Sequence, residues 1–468
     1  MTVLGAAVRF GTLGVQSFWV DEGVTVHLVR MGFGDMLSAI PHSESTPPLY
    51  YVLAWGWGKV FGTGEWGLRS LSALVGVATI PVAYALAARL ISPRAGAVAA
   101  ALAAFTPLLV WYSQEARSYA LLVLLGGLSV VLVLRALDDP SPRALWLWAL
   151  VAALALCTHY FALFAVLPEA AWLLARRRAV LPVAAVAVVG GALLPLAITQ
   201  ASNHAADFIR SSSLGTRVLQ VPKQFLLGFS APAQAAAVVA GLALAVIALY
   251  LLVTRASAAE QRGAAIAAAL AIVIVGVPLV ISLAGADYFI TRNVMLGWLP
   301  FAAVLAAGFA VRPAGFVAAG LLCALGLALV IAVQANPSYQ RDDWRGAARA
   351  LGTATVPRAI VASPVGGGDA LAAYLHGAKT FPRAGADVRE IDVVGVAARR
   401  PGLPAAPPPV SHPVYAYFFP VSSKRTRTYT LIRLRAMPDV PRRELAVHLN
   451  YLGFYGTASS ELLQLPAR

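Results

Sequence analysis

Two adjacent carboxylates, Asp21 and Glu22, directly follow a hydrophobic N-terminal segment and are the residues best placed to do chemistry. Acids at the end of a membrane span lie where substrate and water meet. Trp19 is typical of the headgroup level, which predicts that both acids lie just outside the hydrocarbon. Asp21 suits a general base; Glu22 is the alternative base or a ligand of substrate hydroxyls. Capping of the following helix is the structural alternative for Asp21.

Two further patches combine polar and aromatic residues. Residues 42–51 read His-Ser-Glu-Ser-Thr-Pro-Pro-Leu-Tyr-Tyr, and residues 111–119, which end a hydrophobic run, read Trp-Tyr-Ser-Gln-Glu-Ala-Arg-Ser-Tyr. Each places charged or hydroxyl-bearing side chains where an apolar stretch stops, at the boundary between membrane and water. We expect these two patches and the acidic pair to meet on one face of the membrane.

The composition is that of a protein solvated mostly by a lipid bilayer. Of the 468 residues, 59% are hydrophobic and 12% are charged, whereas soluble globular proteins carry about 25% charged residues. The formal net charge of +15 comes from short loops between apolar runs and from the C-terminal segment. Basic loops between spans orient a membrane protein, and this explains the charge better than binding of a nucleic acid. Cys157 and Cys323 lie in apolar runs and predict neither a disulfide nor a metal site.

Apolar runs of about 20 residues predict ten membrane spans. They lie at about residues 66–91, 94–112, 119–137, 144–158, 160–175, 179–199, 232–254, 264–285, 294–311 and 313–334. Residues 1–20 are an eleventh, weaker candidate, because the run carries Arg9 and Gln16 and has no charged flank before it. Residues 21–64 are too broken by charge, proline and glycine to span, and predict interfacial helices in an extracytoplasmic loop.

The arginines of alternate loops predict the orientation. If Asp21 lies outside, the inside loops are rich in arginine, above all Arg176-Arg177-Arg178, while Glu115 and His159 fall outside. Eleven spans then place residues 336–468 outside as well. The sequence thus predicts a multi-pass protein of the plasma membrane whose active site and C-terminal domain are extracytoplasmic.

The composition changes after Asn336-Pro337, beyond which no run is long and apolar enough to span. Helical spacing at residues 343–351 and strand patterns at 359–362 and 428–434 predict a small α/β domain, and the proline-rich stretch 401–413 predicts a loop. Gly366-Gly367-Gly368 indicates a turn better than a phosphate site.

The predicted fold class is therefore mainly α. A polytopic transmembrane helical bundle of about 11 spans occupies residues 1–335, and a small extracytoplasmic α/β domain occupies residues 336–468.

The ordered motifs resemble those of one known superfamily. Phe18-Trp19-Val20-Asp21-Glu22 is followed by Pro47-Pro48-Leu49-Tyr50-Tyr51, Gly67-Leu68-Arg69-Ser70-Leu71-Ser72 and Tyr112-Ser113-Gln114-Glu115-Ala116-Arg117-Ser118-Tyr119. Over about residues 9–335 this series is similar to the GT-C membrane glycosyltransferases, and within them to the family 39-like branch of protein O-mannosyltransferases and lipid A aminoarabinose transferases. The resemblance implies that a mannose- or arabinose-like sugar passes from a polyprenyl-phosphate donor to a glycan, lipid or protein of the cell envelope. It also implies that the acidic motif supplies the catalytic carboxylate.

The residue chemistry fits that reaction. Transfer to a hydroxyl needs a carboxylate to take the proton and cations to hold the leaving phosphate, for which the planar guanidinium is well suited. Arg117 is the first candidate for the phosphate, followed by Arg69 and Arg292; pairing of Arg117 with Glu115 and interfacial anchoring of Arg69 are the alternatives. Candidate substrate-binding residues are Glu115, Tyr50, Tyr51, Tyr119, His42 and His159, although the tyrosines also fit an interfacial belt and the histidines a polar loop.

The sequence departs from the aminoarabinose branch at two positions. Thr46, directly before the Pro-Pro pair, and Val24, two residues after Glu22, stand where that branch carries basic residues. The donor phosphate is therefore expected to be held by Arg117, Arg69, Arg292 or Lys59. No third acid matches a metal site, so the sequence predicts no metal ligands and leaves a divalent ion open but unsupported.

Two other functions compete with transfer. A polytopic transporter or lipid-linked sugar flippase would place ionisable residues within its spans and show paired repeats; the acids here cluster outside, and no such repeat is evident. The second alternative is a degenerate family member in which the membrane part only anchors a polymer-binding tail. The presence of Asp21, Glu22, Glu115 and Arg117 argues against it. Glycosyl transfer is the leading hypothesis.

Overall fold

A computed structural model describes most of the chain. The described residues are 1–176, 179–203, 207–400, 403–408, 417–438, 440, 446–447 and 459–466. Arg177 and Arg178 of the predicted inside loop, and most of the proline-rich stretch 401–413, lie outside them. Two compact units are present, which we name the helical unit (Met1–Leu13, Gly32–Phe229, Ala233–Ile331) and the sheet unit (Gly14–Met31, Ser230–Pro232, Ala332–Arg468).

The described part of the chain is mainly helical. Its helices are α1 (Thr2–Phe10), α2 (Val20–Arg30), α3 (Phe33–Ser43), α4 (Leu49–Phe61), α5 (Glu65–Leu90), α6 (Pro93–Phe105), α7 (Pro107–Ser113), α8 (Tyr119–Asp138), α9 (Pro142–Thr158), α10 (Leu163–Ala175), α11 (Val180–Ala192), α12 (Leu194–Ala201), α13 (Leu214–Leu227), α14 (Gln234–Arg255), α15 (Ala258–Leu283), α16 (Trp298–Phe309), α17 (Pro313–Ala335), α18 (Trp344–Leu351) and α19 (Gly367–Ala372). Short 3₁₀ turns lie at Tyr160–Ala162, Asp207–Ser211, Met295–Gly297 and Pro337–Tyr339.

All ten of the stronger predicted spans coincide with apolar helices. Among the described residues, six stretches are long and apolar enough to cross a membrane: α5, α8, α11 with α12, α14, α15 and α17. The pair α6 and α7 would make a seventh, and three shorter apolar stretches correspond to α9, α10 and α16. Residues 1–20 contain only the nine-residue helix α1. The helical membrane fold is therefore confirmed, whereas the count of eleven spans is not.

The bend between α6 and α7 creates the segment that carries the third patch. Because proline lacks an amide hydrogen and clashes with the preceding turn, α6 stops before Pro107 and α7 continues at an angle of 56°. Residues 114–118 then run without regular structure into α8. Gln114 fixes this segment by donating from Nε2 to Arg9 O at 2.8 Å and to Thr12 Oγ1 at 2.6 Å.

Glycines allow close helix crossings in the helical unit. A Cβ on Gly308 of α16 would lie 2.6 Å from the carbonyl carbon of Ala248 in α14. A Cβ on Gly263 of α15 would lie 2.8 Å from the carbonyl carbon of Leu90 at the end of α5. Small residues of this kind let membrane helices pack backbone against backbone.

The sheet unit contains a six-stranded sheet. Its strands are β1 (Arg358–Ser363), β2 (Ala378–Thr380), β4 (Glu390–Val396), β7 (Phe418–Arg425), β8 (Tyr429–Ala436) and β10 (Ser460–Gln464), in the order β2-β10-β1-β4-β8-β7. The remaining strands form the two pairs β3 (Ala386–Asp387) with β9 (Ala446–Val447) and β5 (Ala398–Arg400) with β6 (Leu403–Ala406). Strands β1 and β4 are parallel, whereas the other pairs are antiparallel.

Both faces of this sheet are covered. Every residue of β1 and β4 is buried, which fits the near-continuous apolar character of strands packed on both sides. Trp344 of α18 and Leu371 of α19 pack on one face, and Phe381 and Phe418 pack on the other. The predicted small α/β structure, with a helix near residues 343–351 and strands near 359–362 and 428–434, is present.

Helix α2 belongs to the sheet unit. The sequence predicts one loop over residues 21–64, but residues 14–31 are part of the sheet unit and residues 32–64 are part of the helical unit. The physical reason is local packing: Val20 contacts the apolar core that α18 and α19 form on the sheet. The acidic pair is therefore carried by the same compact unit as the C-terminal sheet.

Candidate active site

The acidic pair lies on the first turn of α2, where the helix dipole favours negative charge. Asp21 is half-buried, whereas Glu22 is fully buried. Glu22 Oε2 accepts a hydrogen bond from the backbone amide of Trp19 at 3.4 Å and lies 3.9 Å from Nε of Arg341. The two carboxylates therefore differ: Asp21 retains surface open to a substrate, and Glu22 is part of the interior of the sheet unit.

A bidentate ion pair joins the second and third patches within the helical unit. Arg117 donates from Nη1 to Glu44 Oε1 at 2.6 Å and from Nη2 to Glu44 Oε2 at 2.8 Å, and both side chains are buried. This fork is the strongest geometry available to a carboxylate and a guanidinium, and it offsets much of the cost of removing both charges from water. The sequence offers Glu115 as a partner for the Arg117 charge; the ion pair described here is instead with Glu44. The backbone amide of Arg117 donates to the Glu115 carbonyl at 2.8 Å, which is a contact of the main chain only.

Tyr51 lies beside this ion pair. Its ring centroid is 5.8 Å from the guanidinium carbon of Arg117, and its hydroxyl is 3.0 Å from Thr46 Oγ1. Burial raises the pKa of Tyr51 well above its ordinary value, so the hydroxyl stays protonated. The neighbouring Tyr50 is 3.0 Å from Ser72 Oγ through its hydroxyl. Both tyrosines are fully buried, which sets them apart from the half-exposed rings of an interfacial belt.

A second cluster gathers Arg292, Tyr119 and Phe208. The guanidinium carbon of Arg292 is 5.6 Å from the ring centroid of Tyr119 and 5.2 Å from that of Phe208. Arg292 is half-buried. Aromatic faces attract a cation, so these two rings help to orient the guanidinium.

His159 extends this cluster. Its ring centroid is 5.8 Å from that of Tyr119, and its Nδ1 accepts a hydrogen bond from the backbone amide of Phe161 at 3.2 Å. Burial, followed by the charges of Arg117 and Arg292, lowers the pKa of His159 to about 3. The imidazole is therefore neutral near pH 7, and because Nδ1 accepts, Nε2 carries the hydrogen and is a donor.

The segment that carries Arg292 is fixed by a second bidentate ion pair. Arg217 of α13 donates from Nη1 and Nη2 to the two carboxylate oxygens of Asp287 at 2.7 and 2.6 Å. Nη1 also donates to the carbonyl oxygen of Phe289 at 2.6 Å. These three bonds hold residues 287–289 against α13, three to five positions before Arg292 in the chain.

The other predicted site residues make contacts outside the Arg117 ion pair and the Arg292 cluster. Arg69 is buried on α5 and donates from Nη1 to the Leu13 carbonyl at 3.0 Å. Lys59 lies over the ring of Trp55 at 4.7 Å. His42 is exposed at the end of α3 and makes no hydrogen bond or ion pair with any described residue. Across the described ranges, no three His, Cys, Asp or Glu side chains come together as a metal site requires.

Four side chains of these clusters carry no prediction from the sequence: Glu44, Phe208, Arg217 and Asp287. Glu44 lies in the second patch, and a buried arginine in the third patch is the signal that could have indicated a carboxylate partner. Arg217 and Asp287 are separated by 70 positions, and a single sequence offers no pattern that pairs them.

The comparison with known families confirms the resemblance. Residues 45–201 match the model of the family described as dolichyl-phosphate-mannose-protein mannosyltransferase. This match bears out the predicted resemblance of the chain to the GT-C superfamily. The matched segment holds Tyr51, Arg117 and His159, whereas Asp21 and Arg292 lie outside it.

Solved structures with a similar fold include GT-C proteins from two organisms. ArnT from Cupriavidus metallidurans bound to undecaprenyl phosphate is 17% identical with a TM-score of 0.48, over 68% of this chain and 61% of that chain. The apo form of the same protein is 18% identical with a TM-score of 0.47, over 67% of this chain and 60% of that one. An Archaeoglobus fulgidus oligosaccharyltransferase in complex with zinc and sulfate is 13% identical with a TM-score of 0.45, over 80% and 60% of the two chains.

This chain covers about three fifths of the length of the solved structures it matches. No curated protein matches the sequence at a significant level. With its apolar helices and its resemblance to the GT-C superfamily, the protein is a multi-pass membrane protein.

Proposed function

We propose that the protein is a membrane glycosyltransferase that moves a mannose- or arabinose-like sugar from a polyprenyl-phosphate donor to an acceptor. The acceptor is a glycan, lipid or protein of the cell envelope, on the outer face of the plasma membrane. The observation that carries this proposal is the cluster of Arg292, Tyr119 and His159. It combines a cation, an aromatic face and a neutral donor, and Tyr119 and His159 lie in the segment that matches a family acting on dolichyl-phosphate mannose.

Arg292 is the first candidate for the donor phosphate. Its guanidinium is half-buried, so part of it is accessible to a ligand, and its carbon lies within 6 Å of the ring centroids of Tyr119 and Phe208. Arg117 differs because both terminal nitrogens donate to the buried carboxylate of Glu44. We assign to Arg117 an indirect effect on the phosphate, exerted by its positive charge near Tyr51 and His159. Arg69 is the third candidate for the phosphate.

Asp21 is the proposed base. The acceptor oxygen forms a bond to the anomeric carbon while the bond from that carbon to the phosphate oxygen breaks. The acceptor proton goes to Asp21, and the polyprenyl phosphate leaves with the additional negative charge that Arg292 stabilises. Glu22 is the alternative base, but its burial favours a supporting part.

Binding of the sugar and the acceptor is assigned to His159 and to polar and aromatic residues of the second and third patches: Glu115, Tyr50, Tyr51, Tyr119 and His42. Aromatic faces stack on sugar rings, and a neutral histidine donates to a hydroxyl or phosphate oxygen. The arginine-rich loops define the inside of the membrane, so the reaction and residues 336–468 are assigned to the outside.

Transfer by purified protein tests the proposal. Full-length protein in detergent is incubated with polyprenyl-phosphate mannose or aminoarabinose, radiolabelled in the sugar, and with envelope extract as acceptor. We expect Arg292→Ala to lower kcat by roughly 100-fold and to raise the donor KM, because leaving-group charge grows in the transition state. Arg292→Lys should recover part of the rate, since a point charge replaces a planar fork.

Arg255→Ala is the matched control, because Arg255 is an exposed arginine of the same unit at the end of α14. A wild-type protein that transfers no sugar, yet moves a labelled donor across reconstituted vesicles, would instead establish the flippase. Wild-type kinetics in Arg292→Ala would remove Arg292 from the phosphate site.

A further inference from the structure

The helix that carries the acidic pair is seated on a short helix of the sheet unit. Helix α2 packs against α19, and Gly23, the residue after Glu22, lies against the α19 backbone. A Cβ at Gly23 would lie 2.6 Å from the Cα of Ala370 and 2.8 Å from the carbonyl carbon of Asp369. Contacts this short are not tolerated, so only glycine allows the two helix backbones to meet here.

The glycine run at residues 366–368 forms the other half of this seat. Gly366 has a left-handed φ of +86°, and a Cβ there would lie 2.7 Å from Val20 Cγ1. A Cβ on Gly367 would overlap the indole ring of Trp344. A Cβ on Gly368 would lie 2.7 Å from Ser460 Cβ. The run therefore allows α2, Trp344 and Ser460 to pack closely around the start of α19.

The segment before α2 is tied to the same unit by polar bonds. The backbone amide of Phe18 donates to the Tyr374 hydroxyl at 2.6 Å, and the two rings lie 6.0 Å apart. The Ser17 hydroxyl donates to the carbonyl of Asp342. These bonds fix the chain on the N-terminal side of Asp21, while the seat at Gly23 fixes it on the C-terminal side.

Arg341 provides the charge that faces Glu22. Its Nε lies 3.9 Å from Glu22 Oε2, and both side chains are almost fully buried. The backbone amide of Arg341 donates to Gln16 Oε1 at 2.9 Å, so the same residue also fixes the chain ahead of α2. The charge of Arg341 offsets part of the cost of burying the Glu22 carboxylate, so this pairing contributes to holding the first turn of α2 in place.

We propose that the sheet unit positions the catalytic carboxylate, with Gly23 as the seat of α2 and Arg341 as the positioning residue that holds Glu22 and thereby aims Asp21. This inference rests on the proposed function for its catalytic consequence. The C-terminal segment of the sheet unit, residues 332–468, is then a structural part of the catalytic machinery. Its removal abolishes the chemical step even if it binds no substrate.

The first test compares two glycine substitutions in full-length protein. Gly23→Ala places a methyl group against Ala370, whereas Gly34→Ala in α3 has nothing within 4 Å of the new Cβ. We expect Gly23→Ala to lower kcat by roughly 100-fold with an unchanged donor KM, since a displacement of about 1 Å costs about that much. Hydrogen–deuterium exchange of the α2 amides should rise in Gly23→Ala and not in Gly34→Ala.

The second test covers the case in which Gly23→Ala does not fold. Arg341→Gln removes the charge beside Glu22, Arg341→Lys retains it, and Arg349→Gln changes an exposed arginine of α18 as the control. We expect kcat to fall in Arg341→Gln, to recover partly in Arg341→Lys and to stay at the wild-type value in Arg349→Gln. The donor KM should be the same in all of these proteins.

The outcomes separate this inference from the proposed function. Wild-type kcat and wild-type α2 exchange in both Gly23→Ala and Arg341→Gln would overturn the positioning role. If the unmodified protein transfers no sugar while α2 exchange still rises in the variants, the seating of α2 stands and the glycosyltransferase proposal fails.

Discussion

The ion pair between Arg217 and Asp287 offers the sharpest perturbation of the helical unit. It lies outside the proposed contacts with the donor, yet it fixes the segment that leads to Arg292. Asp287→Asn keeps the size of the side chain and one acceptor oxygen. It removes the negative charge and turns an amide group towards a guanidinium that can only donate.

The expected magnitude follows from the bonds that are lost. Two charge-assisted hydrogen bonds of 2.6 and 2.7 Å connect the pair, and bonds of this kind contribute about 1.5–3 kcal/mol each. The side chain of Asp287 is 17% exposed, so solvent screens part of this energy. A local loss of about 2–3 kcal/mol corresponds to roughly a 30- to 150-fold larger population of loosened loop. We therefore expect the donor KM to rise by at least about tenfold.

The pH dependence of donor binding has a defined sign. Hydrogen bonds from Arg217 lower the pKa of Asp287 below its ordinary value. A carboxyl group with a lowered folded-state pKa stabilises the fold above its unfolded pKa, about 3.9, and loses that contribution as the pH falls through the folded value. Wild-type donor affinity should thus hold at neutral pH and weaken only in acid, from about pH 5 downwards, and Asp287→Asn should lack this acid-dependent step.

The assay is donor binding and transfer with the radiolabelled polyprenyl-phosphate sugar, alongside the melting temperature. Asp138→Asn is the matched control, because Asp138 forms an ion pair with Arg89 but its side chain is 74% exposed, and such pairs contribute about 0–1 kcal/mol. An unchanged donor KM in Asp287→Asn would refute the reasoning that the Arg217 pair presents Arg292 to the donor.

Three further predictions use the same assay or a reporter fusion. Asp21→Asn should fold and bind donor but transfer sugar roughly 10²–10⁴ times more slowly, which is the usual contribution of a general base. Glu22→Gln should reduce the transfer rate less. A wild-type rate in Asp21→Asn would contradict the assignment of Asp21 as the base. Arg117→Ala should raise the donor KM, lower kcat and destabilise the protein by about 3–5 kcal/mol, because it leaves the Glu44 carboxylate buried and unpaired; a double-mutant cycle with Glu44→Ala showing no coupling would contradict this. A phosphatase fused after Arg468 should be active and a green fluorescent reporter there dark, and the reverse result would overturn the outside placement of the C-terminus.

The helices of the membrane part could be predicted because span length and apolar composition are local properties. Each of the ten stronger runs coincides with an apolar helix, including the bent pair whose break follows from Pro107. Residues 1–20 could not be settled in this way, because Arg9 is buried by hydrogen bonds to the carbonyls of Ala103 and Ala104 in α6. A single sequence does not show which carbonyls are available for a buried guanidinium.

The sequence also could not predict that α2 belongs to the sheet unit. Residues 14–31 and 332–468 are far apart in the chain, and the signals that join them are steric. The sequence predicts a turn at Gly366 and assigns no part to Gly23, because the side chain of Val20 and the backbone of Ala370 that they contact lie far away in the chain. Close approach between distant segments has no periodicity that a sequence pattern could reveal.

The motifs predict a region for the chemistry but do not decide which arginine performs it. Arg117 is the first candidate from the sequence, followed by Arg69 and Arg292, and the surroundings of these residues in the structure differ. Arg117 forms a buried bidentate pair with Glu44, whereas Arg292 is half-buried and its guanidinium carbon lies 5.6 Å from the ring centroid of Tyr119 and 5.2 Å from that of Phe208. A half-buried guanidinium retains surface that a leaving phosphate can contact, whereas a fully buried one does not. The role of a charged residue in this protein is therefore decided by its partners in three dimensions, and Arg292→Ala against Arg117→Ala is the comparison that measures the difference.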